Sequence, residues 1–282
     1  MSSDQLLQTL PAGFDPAELM KQIKPRIILL VWSANKEGKT HFSIMTTPEP
    51  VAYLNFDKSF EDVVTKAIKA GRKIYPKWYT APSASAAPYV GVDVKSTEMR
   101  LRMEAEQTRN RNLFDTFLSD YEKLLKHPQL RTIVVDNATV LYNTLQLAQF
   151  GRMSQNDQYQ YQAVNNDMKQ LMDMAGASDK NVIFTARASK VYVGRDWNGE
   201  YAADGWKGLP YEVQAEVRTW RGGDGRFYGR ILTSSHDPLL VGREFASDPK
   251  VERGDVHTPS PAHMLEFPFI AGAIYKDHNW WA

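Results

Sequence analysis

Residues 27–40 read IILLVWSANKEGKT, an apolar run followed at once by a polar loop that ends in Gly38-Lys39-Thr40. A loop between a buried strand and a helix binds phosphate, because its backbone N–H groups and those of the helix N-terminus point at the phosphate oxygens. In such a loop Lys39 reaches the β and γ phosphates, and the Thr40 hydroxyl ligates Mg²⁺. The sequence therefore predicts a site for a nucleotide and Mg²⁺. We expect this site to be formed by Ser33, Ala34, Asn35, Lys36, Glu37, Gly38, Lys39, Thr40 and His41.

The loop departs from the usual pattern at its first residue, where Ser33 stands in place of glycine and the entry turn must accommodate a Cβ atom. Gly-Lys-Thr also occurs by chance in polar loops, but the apolar run before it makes that interpretation the weaker one. Lys36 is a second lysine within the loop. It could bring charge to the phosphates, although solvation at the surface is the commoner role of such a lysine.

Composition limits the classes of protein that the chain can belong to. Its 282 residues are 43% hydrophobic, enough to bury one substantial core. A net charge of +1 means that any contact with nucleic acid is local rather than spread over the surface. The absence of cysteine excludes disulfides, thiolate zinc sites and a cysteine nucleophile, and it agrees with a reducing cytosol. No apolar run reaches the length of a signal peptide core or of a membrane span, so we expect a soluble cytoplasmic protein.

Strand and helix patterns alternate along the chain and predict an α/β fold, with a mostly parallel central sheet flanked by helices and late antiparallel β segments. We expect an N-terminal arm at 1–24, a core at 25–245 and a C-terminal tail at 246–282 that packs on the core or on a neighbour. The predicted strands are 27–31, 51–56, 132–135 and 182–185, with later β segments at 213–220, 227–233 and 239–245. The predicted helices are 59–71, 97–126 and 155–174, and 76–94 is predicted to be a loop.

Polar residues follow three of these strands, and the carboxyl ends of parallel strands meet at one edge of a sheet. Asp136 is expected to support the Mg²⁺, although an Asp in this position can also cap the next helix. Hydrolysis needs a second carboxylate that orients water, for which Asp57 is preferred over Glu61 because it lies nearer the sheet edge. Arg187 could sense the γ phosphate, but an arginine satisfied by solvent explains it equally well.

Three segments, 53–57, 134–138 and 182–187, occur in the order found in RecA-like ATPases. Over roughly residues 25–233 the chain resembles the compact bacteriophage RecA-like ATPases that act as single-strand annealing or recombination proteins. This resemblance implies a RecA-like P-loop NTPase core that hydrolyses ATP, with Lys39, Asp57, Glu61 and Arg187 as candidate catalytic residues. Asp57 stands where the family has Glu and Arg187 where it has Gln, and both differences weigh against fast hydrolysis. If a phage encodes the protein, its location is the host cytoplasm.

Residues 188–210 combine cations with aromatic side chains, a composition that suits single-stranded nucleic acid, because cations neutralise phosphate while bases stack on rings. The alternative from the residues alone is an ordered hairpin whose aromatics pack on the core. The resemblance favours contact with single-stranded DNA, since RecA-like proteins use the corresponding loop for it. The candidate DNA-binding residues are Lys190, Tyr192, Arg195, Trp197, Tyr201, Trp206 and Lys207.

Two functions remain open at this point. The first is an ATP-dependent protein of DNA recombination or annealing that binds single-stranded DNA and couples hydrolysis to DNA affinity. The resemblance implies assembly with its own copies, as a ring or filament, and a single-strand-binding protein as a further partner. The second is a nucleotide-gated binding module, a loader or regulatory factor, that turns over little or no ATP. Arg218, Arg221 and Arg230 lie on the late β segments, where one could act on a neighbour's nucleotide or all could be solvated.

Overall fold

The computed structural model describes residues 26–57, 61–80, 97–151, 161–235 and 237–246. Within them the sheet has the spatial order β3-β2-β4-β5-β1-β7-β8-β9, and β6 pairs with an extension of β5. Strands β1 to β5 and β7 pair parallel with one another, whereas β6 pairs antiparallel with β5, β8 with β7, and β9 with β8. The strands are β1 Ile28–Ser33, β2 Val51–Asn55, β3 Ile74–Trp78, β4 Thr132–Asp136, β5 Asn181–Val193, β6 Asp196–Ala203, β7 Ala215–Arg221, β8 Phe227–Ser234 and β9 Glu244–Ala246.

Helices cover both faces of the sheet, and a short 3-10 helix, Pro238–Leu240, precedes β9. The helices are α1 Lys39–Met45, α2 Glu61–Lys69, α3 Thr97–Leu125, α4 Ala138–Phe150, α5 Tyr161–Ala177 and α6 Leu209–Glu212. In the part of the chain that the structure describes, none of them is both long and apolar enough to cross a membrane.

The apolar run of β1 separates into two sets because successive side chains of a strand point to opposite faces. Ile28, Leu30 and Trp32 join a core cluster with residues of α3, α4 and α5. Leu29 and Val31 join a second cluster with residues of α1 and α2. All six residues of β1 are buried, so an uninterrupted apolar sequence is what a strand covered on both sides requires.

The parallel pairing brings the polar residues of the predicted site to one edge. In the sheet register Ser33 lies opposite Arg187, and Asn55 lies opposite Asp136. Asp57 follows β2 by two residues. The loop after β1 and the ends of β2, β4 and β5 therefore meet at the carboxyl edge, as expected for a ligand site in an open α/β sheet.

Several element predictions need correction. Residues 76–78, predicted as loop, belong to β3, whose edge position tolerates Pro76 because one side of an edge strand needs no donor. Residues 188–203 lie in the β5–β6 hairpin, so the ordered hairpin left open as the alternative is observed instead of a loop, and 209–210 begin α6. The β segment predicted at 239–245 is a 3-10 helix followed by β9. The predicted helix at 155–174 is observed as α5, which runs on to Ala177.

Other predictions fall on residues outside the described ranges. These are the arm at 1–24, the tail beyond residue 246, residues 81–94 of the predicted loop, and the first residues of the helices predicted at 59 and 155.

Phe117 lies at the centre of an aromatic cluster under the sheet, and its substitution tests this core. Its ring centroid is 5.2 Å from Phe56, 5.5 Å from Tyr79 and 5.7 Å from Tyr121. Phe117→Ala should lower the free energy of unfolding by about 3–5 kcal/mol, because it removes a fully buried ring. Urea denaturation measures this change. Leu101→Ala, on the exposed side of the same helix, is the control, and a similar loss in both variants would contradict the core assignment.

Candidate nucleotide site

A cavity of about 630 Å³ opens at the carboxyl edge of the sheet, within the size range of small-molecule sites. It is lined by Asn35, Lys36, Glu37, Gly38, Lys39, Thr40, His41, Asp57, Val63, Asp136, Arg187 and Phe227. The structure thus brings seven loop and helix residues together with three of the predicted partners. Ser33 and Ala34, also predicted, are not among the lining residues.

The loop after β1 takes a shape suited to phosphate. Gly38 precedes α1 with φ 91°, a conformation that glycine adopts without strain, and its carbonyl accepts the first helical hydrogen bond from Phe42 at 2.9 Å. The Glu37 carboxylate accepts a hydrogen bond from the Ala34 N–H at 3.0 Å, which closes the loop on itself. Ser33 replaces the usual glycine without difficulty because it is still the last residue of β1, buried and extended.

Asp136 is held by three hydroxyl groups from different elements. Its side chain is buried and accepts hydrogen bonds from Thr40 at 2.8 Å, from the Tyr53 hydroxyl at 2.5 Å and from the Thr185 hydroxyl. Burial raises the pKa of the Tyr53 hydroxyl, and the negative charge of Asp136 raises it further, so Tyr53 donates and does not ionise. The alternative role of Asp136 as a helix cap is wrong, because Asn137 caps α4 by accepting from the Val140 N–H at 2.9 Å.

Thr40 and Asp136 fit the predicted Mg²⁺. A hydroxyl and a carboxylate oxygen lie 2.8 Å apart beside the phosphate loop, and Mg²⁺ binds proteins through one or two such oxygens together with phosphate and water. A bound Mg²⁺ neutralises phosphate charge and orients the triphosphate. Asp136 would stand on the metal side and Thr40 would ligate directly, as the sequence predicts.

The side chains of Asp57 and Arg187 form an ion pair in the wall of the cavity. An Arg187 guanidinium nitrogen lies 3.4 Å from an Asp57 carboxylate oxygen, and the Asn137 amide donates to the same oxygen at 3.0 Å. The side chain of Asn55 accepts from the Asp57 N–H at 2.9 Å and fixes the turn after β2. Both candidates are therefore at the site, with Asp57 held by two donors.

Glu61, the other carboxylate considered for orienting water, lies elsewhere. It is the first residue of α2, is exposed, and lines a separate cavity of about 230 Å³ with Trp78. It is not among the residues that line the nucleotide cavity. The geometry thus favours Asp57 for a role beside the γ phosphate.

Five residues of this region are not in the sequence prediction. Tyr53 and Thr185 hold Asp136, Asn137 holds Asp57, and Val63 and Phe227 line the cavity. The sequence signal for Tyr53 and Thr185 is a hydroxyl-bearing residue within each of the two apolar strand segments. Phe227 has no such signal, because it lies on a strand that is far from the phosphate loop in the sequence.

A phosphate loop between β1 and α1, with a hydroxyl and a buried carboxylate placed for Mg²⁺, defines a P-loop NTPase. Residues 26–218 match the family of AAA domains, and the chain belongs to that family. Membership indicates nucleotide binding and hydrolysis. No curated protein matches this chain.

A second cluster lies directly before the loop. Trp32, buried next to Ser33, donates its indole N–H to Glu216 on the neighbouring strand β7 at 2.7 Å. Burial raises the pKa of Glu216, and the hydrogen bond from Trp32 offsets part of that rise. The guanidinium of Arg218 lies 5.4 Å from the Trp32 ring centroid. A buried carboxyl group, which lies opposite Leu30 in the sheet, is thus hydrogen-bonded to the residue next to Ser33.

Lys39→Ala should abolish nucleotide binding, because Lys39 supplies the charge that reaches the phosphates. Calorimetric titration with ATP and Mg²⁺ measures the affinity. Lys69→Ala, an exposed lysine on α2, is the matched control and should bind as the wild type does. ATP affinity retained in Lys39→Ala would overturn the assignment of the site.

Glu216→Gln should raise the free energy of unfolding at pH 8, because it removes a buried charge while keeping an oxygen acceptor for Trp32. The pKa of Glu216 is higher in the folded than in the unfolded chain, so its contribution to stability is full below the unfolded pKa and is lost as the pH rises through the folded pKa. Denaturation at pH 4 should therefore show little difference between the two proteins. An equal change at pH 4 and pH 8 would disagree with this account.

Proposed function

We propose that this protein is a RecA-like, Mg²⁺-dependent ATPase that binds single-stranded DNA through the β5–β6 hairpin and uses ATP to change its DNA affinity during recombination or annealing. The main support for the proposal is the path of strand β5. This strand passes through the nucleotide site and continues for several residues into an exposed hairpin of cations and aromatic rings.

Residues along β5 contact both sites in turn. Thr185 donates to Asp136, and two residues later Arg187 pairs with Asp57. Lys190 and Tyr192 then lie on the exposed part of the same strand. One continuous strand carries all four side chains. A movement of Thr185 or Arg187 on nucleotide binding can therefore be transmitted along the backbone of β5 to the hairpin.

The hairpin surface suits unpaired bases. Tyr192, Trp197 and Tyr201 expose 57%, 44% and 37% of their surface and belong to one hairpin, and grouped exposed rings of this kind mark an interaction site. The Trp197 and Tyr201 rings meet edge to face at 5.5 Å, and the Lys190 ammonium lies 4.8 Å from the Trp197 ring centroid. Bases stack on such rings in single-stranded complexes, and Arg195 and Lys207, both exposed, add charge for the phosphates. Trp206 differs, because it packs against the core.

Arg218 connects this surface with the strand before the phosphate loop. Its guanidinium lies 5.4 Å from the ring centroid of Trp32 and 5.8 Å from that of Tyr201. Cation–π contact of this kind contributes about 0.5–1 kcal/mol at exposed sites. Because Arg218 contacts two aromatic rings, the interpretation of it as a solvated strand residue fits poorly.

The Asp57–Arg187 pair supports a second candidate, a nucleotide-gated binding module with little or no turnover. A carboxylate held by both Arg187 and Asn137 is less available to orient water than one that faces solvent. The γ phosphate would compete with Asp57 for Arg187, since both are anions. The two candidates thus differ in whether the bound triphosphate releases Asp57.

Assembly belongs to the same proposal. Strand β3 ends the described sheet order and exposes Tyr75 and Trp78, so it offers an edge and apolar surface to a further copy in a ring or filament. A single-strand-binding protein is the further partner that a recombination role implies.

The hairpin variant Trp197→Ala with Tyr201→Ala should weaken binding of a labelled oligothymidylate, measured by fluorescence anisotropy, by about 1–3 kcal/mol per lost stack. ATP affinity should stay unchanged. The ATP hydrolysis rate, measured with and without the oligonucleotide, should rise with DNA in the wild type and not in the variant. Tyr211→Ala removes an exposed ring outside the hairpin and is the matched control.

An unchanged anisotropy isotherm in the hairpin variant would remove this surface from the proposal. Tight ATP binding by the wild type with no turnover, with or without DNA, would favour the nucleotide-gated module.

A further inference from the structure

Phe227 enters the nucleotide cavity from the far part of the chain. Strand β7 runs parallel to β1, so its last residue, Arg221, lies at the same edge as the phosphate loop. Strand β8 returns antiparallel and places Phe227, its first residue, opposite Arg221. The turn between the two strands thus brings a ring to the cavity wall.

The sheet order separates this ring from the acidic end of the cavity. Asp57, Asp136 and Arg187 come from β2, β4 and β5, on one side of β1. Phe227 comes from β8, on the other side. Because Lys39 and the Mg²⁺ site fix the β and γ phosphates near the acidic side, the nucleoside of a bound nucleotide extends toward β8.

Packing fixes the position of the Phe227 ring. The Arg221 guanidinium lies 5.8 Å from its ring centroid. The next residue, Tyr228, points to the opposite face of the strand, stacks on Trp220 at 5.6 Å and donates to Asp224 at 2.7 Å. The turn is thus held from both faces, as a stacking platform requires.

Polar side chains in the described lining belong to other parts of the cavity. They lie in the segment from Asn35 to His41 or are Asp57, Asp136 and Arg187. Among the described lining residues, Phe227 is the only Phe, Tyr or Trp, and no hydrogen-bonding side chain accompanies it from β7 or β8. An aromatic ring alone recognises a base by the area of its π-face and not by its edge.

We propose that Phe227 is the platform on which the base of the bound nucleotide stacks, and that the site selects purine over pyrimidine nucleotides by ring area while binding adenine and guanine alike. The inference rests on nucleotide binding at the proposed site and is independent of DNA.

Calorimetric titration of the full chain with ATP, GTP, CTP and inorganic tripolyphosphate, each with Mg²⁺, tests the proposal. Wild type should bind ATP and GTP with similar constants and CTP more weakly. Phe227→Ala should weaken ATP and GTP by about 5- to 150-fold, the range that base–aromatic stacking covers, and leave tripolyphosphate unchanged. Phe227→Trp should retain ATP and GTP affinity. Tyr211→Ala, which removes an exposed ring that does not line the cavity and does not belong to this turn, should not alter it.

Three outcomes would overturn the platform. They are unchanged ATP affinity in Phe227→Ala, an equal loss of tripolyphosphate and ATP in that variant, and wild-type binding of ATP far tighter than of GTP. If the wild type binds neither ATP nor tripolyphosphate, nucleotide binding itself is wrong and this inference falls with it. Phe227→Trp keeps the test decisive if the alanine variant does not fold.

Discussion

The buried carboxylate of Asp136 is the constraint on which the site depends. A charge away from water is stable only when hydrogen-bond donors surround it, and here the donors come from α1, β2 and β5. Thr40 therefore cannot shift without disturbing Tyr53 and Thr185. This one group fixes the helix after the phosphate loop against two strands of the sheet, which is how a site spread over distant segments keeps its geometry.

The order of the strands gives the cavity two chemically different ends. Strands β2, β4 and β5 supply charge, whereas β8 supplies the ring of Phe227, and the phosphate loop after β1 lies between them. A triphosphate is charged at one end and carries a flat base at the other. The charged and apolar ends of the cavity thus correspond to the phosphate and base ends of a nucleotide. This correspondence follows from the order of the strands in the sheet.

The sequence predicts those parts of this arrangement that are encoded locally. The apolar run before the phosphate loop and the acid at the end of β4 are both read from neighbouring residues and are observed. Sheet order, the length of β5 and the entry of Phe227 depend on pairing between distant segments, which local patterns do not contain. The hairpin stayed one of two alternatives for a related reason, since its exposed rings lack the alternation by which a half-buried strand is recognised.

Strand β5 explains why the two halves of the proposed function belong together. Its buried half, through Ala186, holds the acid of the metal site, and its exposed half carries cations and rings. Between them Arg187 shares a carboxylate with Asn137. A phosphate bound beside Arg187 adds a second negative charge next to the Asp57 carboxylate. The interaction energy of the Arg187–Asp57 pair therefore differs between the nucleotide-bound and nucleotide-free protein. Since the arginine and the hairpin are on one hydrogen-bonded strand, that difference is available to the surface proposed to bind DNA.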